Sequence, residues 1–360
     1  MPEKSSKNPP RRARLLLRLG ECESGSYWLA RILLEIGSSE FRRKAGFAII
    51  RVVPPTKNHL NFVEGNAAKV AQWSGTSKRK FGLIAFVMFA LLGLAFGANA
   101  QDLVEHELRI PAPGAGKQGL EAFMVRPSGP GPHPLALLNH GSPRVGSDRR
   151  KMSPQEMLPQ AREFARRGWT AVIVMRRGYG NSGGNYSEDA QPCSRRPDFY
   201  GSGIQSANDL RAAIAYLSSL PEVDRTRIIS VGRSAGGFAT VALTAKLPAG
   251  LVAAISFAGG RGSPAEDEVC NSGDLIEAFG RFGKTSRVPM LWVYAQNDHF
   301  FSPHLAAQFY KAFTSAGGRA QFVSAGPFGT DGHRLFSEMG TPIWAPMVDA
   351  FLRKQNLVLH

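Results

Sequence analysis

Five runs in the later part of this chain, "LALLNHG", "WTAVIVM", "RIISVG", "LVAAISFA" and "VPMLWVYA", are apolar at almost every position. A strand of that kind needs cover on both faces, which a mostly parallel sheet flanked by helices provides. Stretches with apolar residues at helical spacing lie between the runs, at 154–167, 203–220, 235–247 and 304–316. Strand and helix therefore alternate as they do in α/β folds. Ahead of them, "LVEHELRI" and "LEAFMVRP" alternate apolar and polar residues as an exposed first hairpin does, and "AQFVSA" and "IWAPMVDAFLRKQ" read as a last strand and a last helix. The expected fold is one α/β domain at 101–360, with about eight mostly parallel strands, helices on both faces and small insertions at the C-terminal side of the sheet. Two long connections, 176–202 and 259–287, leave the C-terminal ends of strands, where open α/β sheets bind ligands.

A formal net charge of +16 on 360 residues would ordinarily suggest a nucleic-acid partner. The charge is lopsided. Residues 1–100 hold 16 of the 44 Lys/Arg, 6 of the 28 Asp/Glu and no aspartate, leaving 28 cations against 22 acids for the remaining 260 residues. That remainder has no Lys/Arg cluster interleaved with aromatics and no zinc-finger spacing, so no nucleic-acid partner is expected.

Residues 78–100, "KRKFGLIAFVMFALLGLAFGANA", have the layout of a secretory signal: three cations, an uncharged run at 81–97 and an A-x-A cleavage site. Cleavage after Ala100 would release a chain starting at Gln101, exported to a periplasmic or extracellular space. The rival reading is an uncleaved membrane anchor, because the apolar run is nearly long enough to span a bilayer. Residues 1–77 form a basic leader without sustained periodicity. A signal normally starts near its cations, so the expectation is an over-extended reading frame whose true start lies nearer the signal, Val70 being one candidate. A basic cytoplasmic tail is the alternative. Export also frames the cysteines. Cys193 and Cys270 are the pair beyond the leader, which an oxidising compartment could join, two free thiols being the other option. Neither has the neighbours of a metal site, and no metal or other cofactor is expected.

The stretch "IISVGRSAGGF" places Ser234 in a GxSxG pattern between a strand and an apolar helix. A sharp strand-to-helix turn lifts the serine Oγ above the sheet, and small neighbours let backbones approach the corner. A serine hydroxyl needs a base to take its proton. His333, in the Gly-rich "GTDGHRLF" after the last strand, is the candidate, and Asp298, directly after "VPMLWVYAQN", is the carboxylate to orient it. Asp331, His299 and His304 are nearby decoys: a loop neighbour of His333, a residue aimed away from the acid, and a helix opener. An oxyanion hole needs two N–H donors, for which Ala235 and Ser142 are the candidates, since Pro143 has no N–H. His140 is read as shaping that turn. Arg176, Arg177, Tyr179 and Asn181 could line a pocket, although a Gly-rich surface loop needs polar residues in any case. Arg233, charged and adjacent to Ser234, has an acidic partner, substrate or solvent as its open alternatives.

"NHGSP", "RRGYGNSGG", "VGRSAGG", "YAQND" and "DGH" occur in an order that resembles the α/β-hydrolase superfamily, in its dienelactone-hydrolase-like and prolyl-oligopeptidase-like serine esterase branch. The resemblance spans 103–354 and implies metal-free cleavage of small-molecule carboxylic esters through an acyl-enzyme. Dienelactone hydrolases carry cysteine where Ser234 stands here, so lactone specificity does not follow from it. "MRRGYGNSGG" also resembles the loop of Xaa-Pro peptidase-like hydrolases, which keeps an exported peptidase or amidase as an alternative, beside a catalytically silent binding protein of the same fold. A membrane partner follows only if residues 81–97 remain as an anchor.

Overall fold

The computed structural model describes residues 102–191 and 193–358, together with the backbone of four short strands in the leader. Those four, Arg14–Gly20, Leu29–Glu35, Ala48–Arg51 and Phe62–Glu64, pair antiparallel in sequence order. Short apolar runs thus find strand partners where no sustained periodicity is legible. The signal-like segment 78–100 lies outside the described residues. By contact the chain divides into two compact units, Met1–Ala98 and Asn99–His360.

The second unit is built on eight strands: β1 Leu103–Ile110, β2 Leu120–Pro127, β3 His133–Asn139, β4 Thr170–Val174, β5 Val223–Arg233, β6 Leu251–Phe257, β7 Met290–Ala295 and β8 Ala320–Ala325. Six α-helices accompany them: α1 Leu158–Arg166, α2 Phe199–Leu217, α3 Ala235–Ala245, α4 Ser272–Gly283, α5 Pro303–Ser315 and α6 Thr341–Lys354. The strand order is β8-β7-β6-β5-β3-β4-β2-β1. Only β1 with β2 and β2 with β4 pair antiparallel; every other neighbour is parallel. The expected hairpin is therefore present, but of its two strands β1 alone lies at a sheet edge, and β2 is largely buried between β1 and β4.

Side chains alternate along each strand, so each strand feeds two cores. Leu135 and Leu137 join Val172, Ile228, Met290 and Trp292 under α2, α3, α4 and α5. Ala136 and Leu138 join Ile173, Val231, Ile255 and Val293 under α1 and α6. Both faces being covered is the physical reason the central runs contain almost no polar residue. Among the described residues no helix is long and apolar enough to cross a membrane.

Candidate active site

Ser234 is the residue between β5 and α3, and its backbone is left-handed, with φ 53° and ψ −126°. A non-glycine residue there costs on the order of 1–3 kcal/mol, so its surroundings must hold it. They do: Ser234 N donates to Phe257 O at 2.9 Å, and Ser234 O accepts from Phe238 N at 3.0 Å and Gly260 N at 3.2 Å. The flanking glycines have steric reasons. A Cβ on Gly232 would collide with the Gly236 carbonyl, and one on Gly236 would collide with the carbonyls of Asn139 and His140. The corner thus presses directly on the end of β3. Buried Asn139 fastens that end by donating to Ser230 Oγ at 2.9 Å and Thr240 Oγ1 at 2.8 Å.

His333 and Asp298 meet across two loops. Asp298 follows β7 and is 3% exposed, while His333 lies in a single 3₁₀ turn after β8, Gly332–Arg334. His333 Nδ1 is 3.1 Å from both Asp298 oxygens; a carboxylate accepts, so Nδ1–H donates and Nε2 faces away from Asp298. Asp298 Oδ1 is itself anchored by the N–H groups of Phe300, at 2.8 Å, and Phe301, at 3.0 Å. The imidazole stacks on Phe300 with ring centroids 3.9 Å apart, and the Arg144 guanidinium covers the other side of that phenyl, 3.7 Å from its centroid. Ser234 and His333 border one cavity of about 1110 Å³. No hydrogen bond joins Oγ to the imidazole; in unliganded enzymes such contacts are often long and tighten with substrate.

Ala235 and Ser142 both border a second, smaller cavity beside Ser234. Among the described residues, neither backbone N–H has a protein acceptor. A side chain on Gly141 would come within 3.2 Å of Ser234 Cβ, so the glycine lets this turn approach the corner.

The decoys have other work. Asp331 caps the 3₁₀ turn, accepting from His333 N at 2.9 Å and His299 N at 3.3 Å, and so shapes the loop without touching the ring. The His299 ring pairs with Asp267, whose hydrogen bond raises its pKa. His304 sits in the first turn of α5. His140 is buried: its Nε2 accepts from Arg176 N at 3.1 Å and its Nδ1 donates to Gly141 O at 2.6 Å. Burial, with Arg176 adding to it, holds its pKa well below that of an ordinary imidazole. It is therefore a neutral brace of the turn.

Arg176, Arg177, Tyr179 and Asn181 border neither cavity. Arg177 pairs with Asp209 at 2.6 Å, and Asn181 donates to Glu121. Arg176 is fully buried and forms a bidentate pair with Glu188, which also accepts from Arg261 at 2.6 Å. Burial opposes the Glu188 charge, but the two guanidinium groups outweigh it and hold the carboxyl below the usual carboxylate range. Tyr179 Oη lies 3.0 Å from both Glu188 Oε2 and Ser142 Oγ; having one proton, it donates to the carboxylate and accepts from the serine. Arg176 Nη1 donates to His140 O at 2.9 Å, completing a link from this cluster to the turn beside Ser234. Glu188 and Arg261 are the residues that sequence reasoning missed. Each is one of several charged residues in its long connection, with no local feature that sets it apart.

Those connections are also joined covalently, by a disulfide between Cys193 and Cys270 with Cα atoms 5.2 Å apart. Arg233, the last residue of β5, borders the larger cavity, and the Glu156 carboxylate lies 3.8 Å from its guanidinium. Among the described residues no cluster of His, Cys, Asp or Glu could hold a metal ion.

Residues 159–325 match the dienelactone hydrolase family. Two solved structures of Thermogutta terrifontis esterase 2, one phosphorylated by paraoxon and one phosphoramylated by tabun, superpose with TM-scores of 0.52 and 0.51. Each is 16% identical to this chain and covers 71% of it and 96% of its own length, a likeness of fold. An esterase of Pyrococcus furiosus covers 71% of this chain and 91% of its own at 12% identity, with a TM-score of 0.49. No curated protein matches this chain.

Proposed function

We propose that this chain, whose residues 159–325 match the dienelactone hydrolase family, cleaves carboxylic esters by acyl transfer through Ser234, His333 and Asp298. The observation that carries the reading is the imidazole held by both Asp298 oxygens at 3.1 Å on the cavity that Ser234 also borders. In the proposed cycle His333 Nε2 takes the Ser234 proton as Oγ bonds to the ester carbonyl carbon, and the N–H groups of Ala235 and Ser142 receive the oxyanion. The C–O bond to the alcohol breaks as the imidazolium returns that proton to the leaving oxygen. Water, deprotonated by the same histidine, then releases the acid and restores the serine.

A fluorophosphonate probe tests the nucleophile. Labelling of the wild type and loss of labelling in Ser234→Ala are expected; a mutant that still labels ends the reading. Short-chain p-nitrophenyl esters assayed beside proline-containing peptides separate an esterase from a peptidase of the same triad.

The disulfide supports a second proposal, that the hydrolase domain works outside the cytoplasm. N-terminal sequencing of the native protein is expected to begin at Gln101, whereas peptides from residues 1–69 would overturn both cleavage and the late start.

A further inference from the structure

Two cavities meet at Ser234 and differ in size, about 250 Å³ against about 1110 Å³. Ser142, Pro143, Arg144, Ser234 and Phe300 border both, so the turn after β3 and the Arg144–Phe300 stack form the divide. Arg144 is held in that place by the carbonyls of Ala265, at 3.1 Å, and His299, at 3.2 Å. The catalytic partners fall on opposite sides. Ala235 borders only the smaller cavity and His333 only the larger.

Acyl-transfer stereochemistry then leaves one arrangement. The carbonyl carbon bonded to Oγ carries three further groups: the oxyanion, the leaving oxygen and the acyl chain. The oxyanion points at Ala235 N and Ser142 N, and the leaving oxygen must reach His333 to be protonated. The acyl chain is left with the direction away from His333, into the smaller cavity.

Resting on the proposed serine mechanism, we propose that the substrates are esters of a short acyl group with a bulky alcohol. The acyl group sits in the cavity walled by Tyr186, Cys193, Phe199, Cys270 and Phe301, and the alcohol in the one bordered by Met152, Arg233, Phe328, Arg334 and Met339. Ligand pockets commonly measure roughly 300–1,000 Å³, so one cavity lies below that range and the other above it. The Cys193–Cys270 disulfide sets the limit on acyl length. It belongs to the wall itself and clamps the connection before α2 to the connection before α4, so the wall cannot recede to admit a longer chain.

Two substrate series on the intact protein test this. With p-nitrophenol as constant leaving group, kcat/KM is expected to fall roughly tenfold or more from butanoate to octanoate, the discrimination a pocket of fixed size exerts on extra methylenes. With acetate as constant acyl group, methyl, benzyl and naphthylmethyl esters are expected to differ by less than about threefold, because the alcohol side imposes no such limit. A flat acyl series, or a steep loss with alcohol size, overturns the assignment. Cys193→Ser/Cys270→Ser is expected to raise the octanoate-to-acetate ratio of kcat/KM roughly tenfold, and an unchanged ratio in the folded variant removes the disulfide from the argument. Should that variant not fold, Ala190→Phe, which fills the same cavity, is expected to depress butanoate hydrolysis more than acetate hydrolysis, and equal effects count against the proposal. If neither series is hydrolysed, or Ser234→Ala retains the activity, the serine mechanism fails and not the division of the site.

Discussion

Two sets of ion-pairing residues lie beside Ser234, and burial separates their work. His333 and Asp298 form a single pair whose imidazole stays 11% exposed on a cavity wall. Arg176, Glu188 and Arg261 form a cluster in which Glu188 and Arg176 are fully buried and the carboxylate answers two guanidinium groups and a tyrosine. A group that exchanges a proton in each proposed turnover needs access and one partner to orient it. A group that braces a wall needs the opposite, charges so heavily partnered that no proton moves near neutral pH. The contrast shows why a charged residue close to a nucleophile need not be catalytic: Arg176 stands in the loop that follows β4, yet it spends its donors on Glu188 and His140 O.

The contrast is most easily broken at the candidate catalytic residues. Ser234→Ala and Asp298→Asn are each expected to lower kcat by roughly 10⁴-fold or more while leaving the melting temperature within a few degrees. A stability loss with little change in rate would reverse the assignment. Glu188→Ala is the matching test of the buried set. It strands two buried guanidinium groups, and urea unfolding is expected to show a loss of about 3–5 kcal/mol; a loss near zero would mean that water already reaches the cluster. The disulfide spans 77 residues of sequence, and its reduction is expected to lower stability by about 2–4 kcal/mol in the same assay.

His140 sharpens the comparison through pH. Its folded-state pKa lies below the ordinary value of 6.5, so beneath that pH the unfolded chain binds the extra proton and folding stability falls. The slope expected from this one residue is about 1.4 kcal/mol per pH unit below roughly pH 6.5. Chemical denaturation at pH 7 and pH 5 should show the loss in the wild type and a smaller one in His140→Gln. At the bottom of the scale stands Asn181, exposed and bordering neither cavity, whose change to Ala is expected to stay within about 0.5 kcal/mol and leave the rate unchanged.

The apolar runs and the helical spacings made the central sheet legible, because a strand buried on both faces has almost no latitude in composition. The helix boundaries shift by a few residues, as in α2, where the spacing suggests 203–220 and Asp198 caps a start at Phe199. The position of β2 inside the sheet was not legible, since an alternating strand reads the same at an edge or one place in from it. In the candidate site, Ser234, Asp298 and His333 could be named from local context alone: each follows a strand end, and the order along the chain fits one hydrolase arrangement. Nothing local marks Glu188 or Arg261, because a buried charge is identified only by the partners that neutralise it.

By itself, then, the amino-acid sequence determined which elements form, which face of each is buried and which three residues carry the candidate chemistry, all properties that repeat at short range along the chain. Only the tertiary structure decided that Arg176 is a brace, that the two long connections are joined through Cys193 and Cys270, and that the space around Ser234 is divided unequally. Those properties belong to residues distant in sequence, and no local pattern encodes a distance between loops.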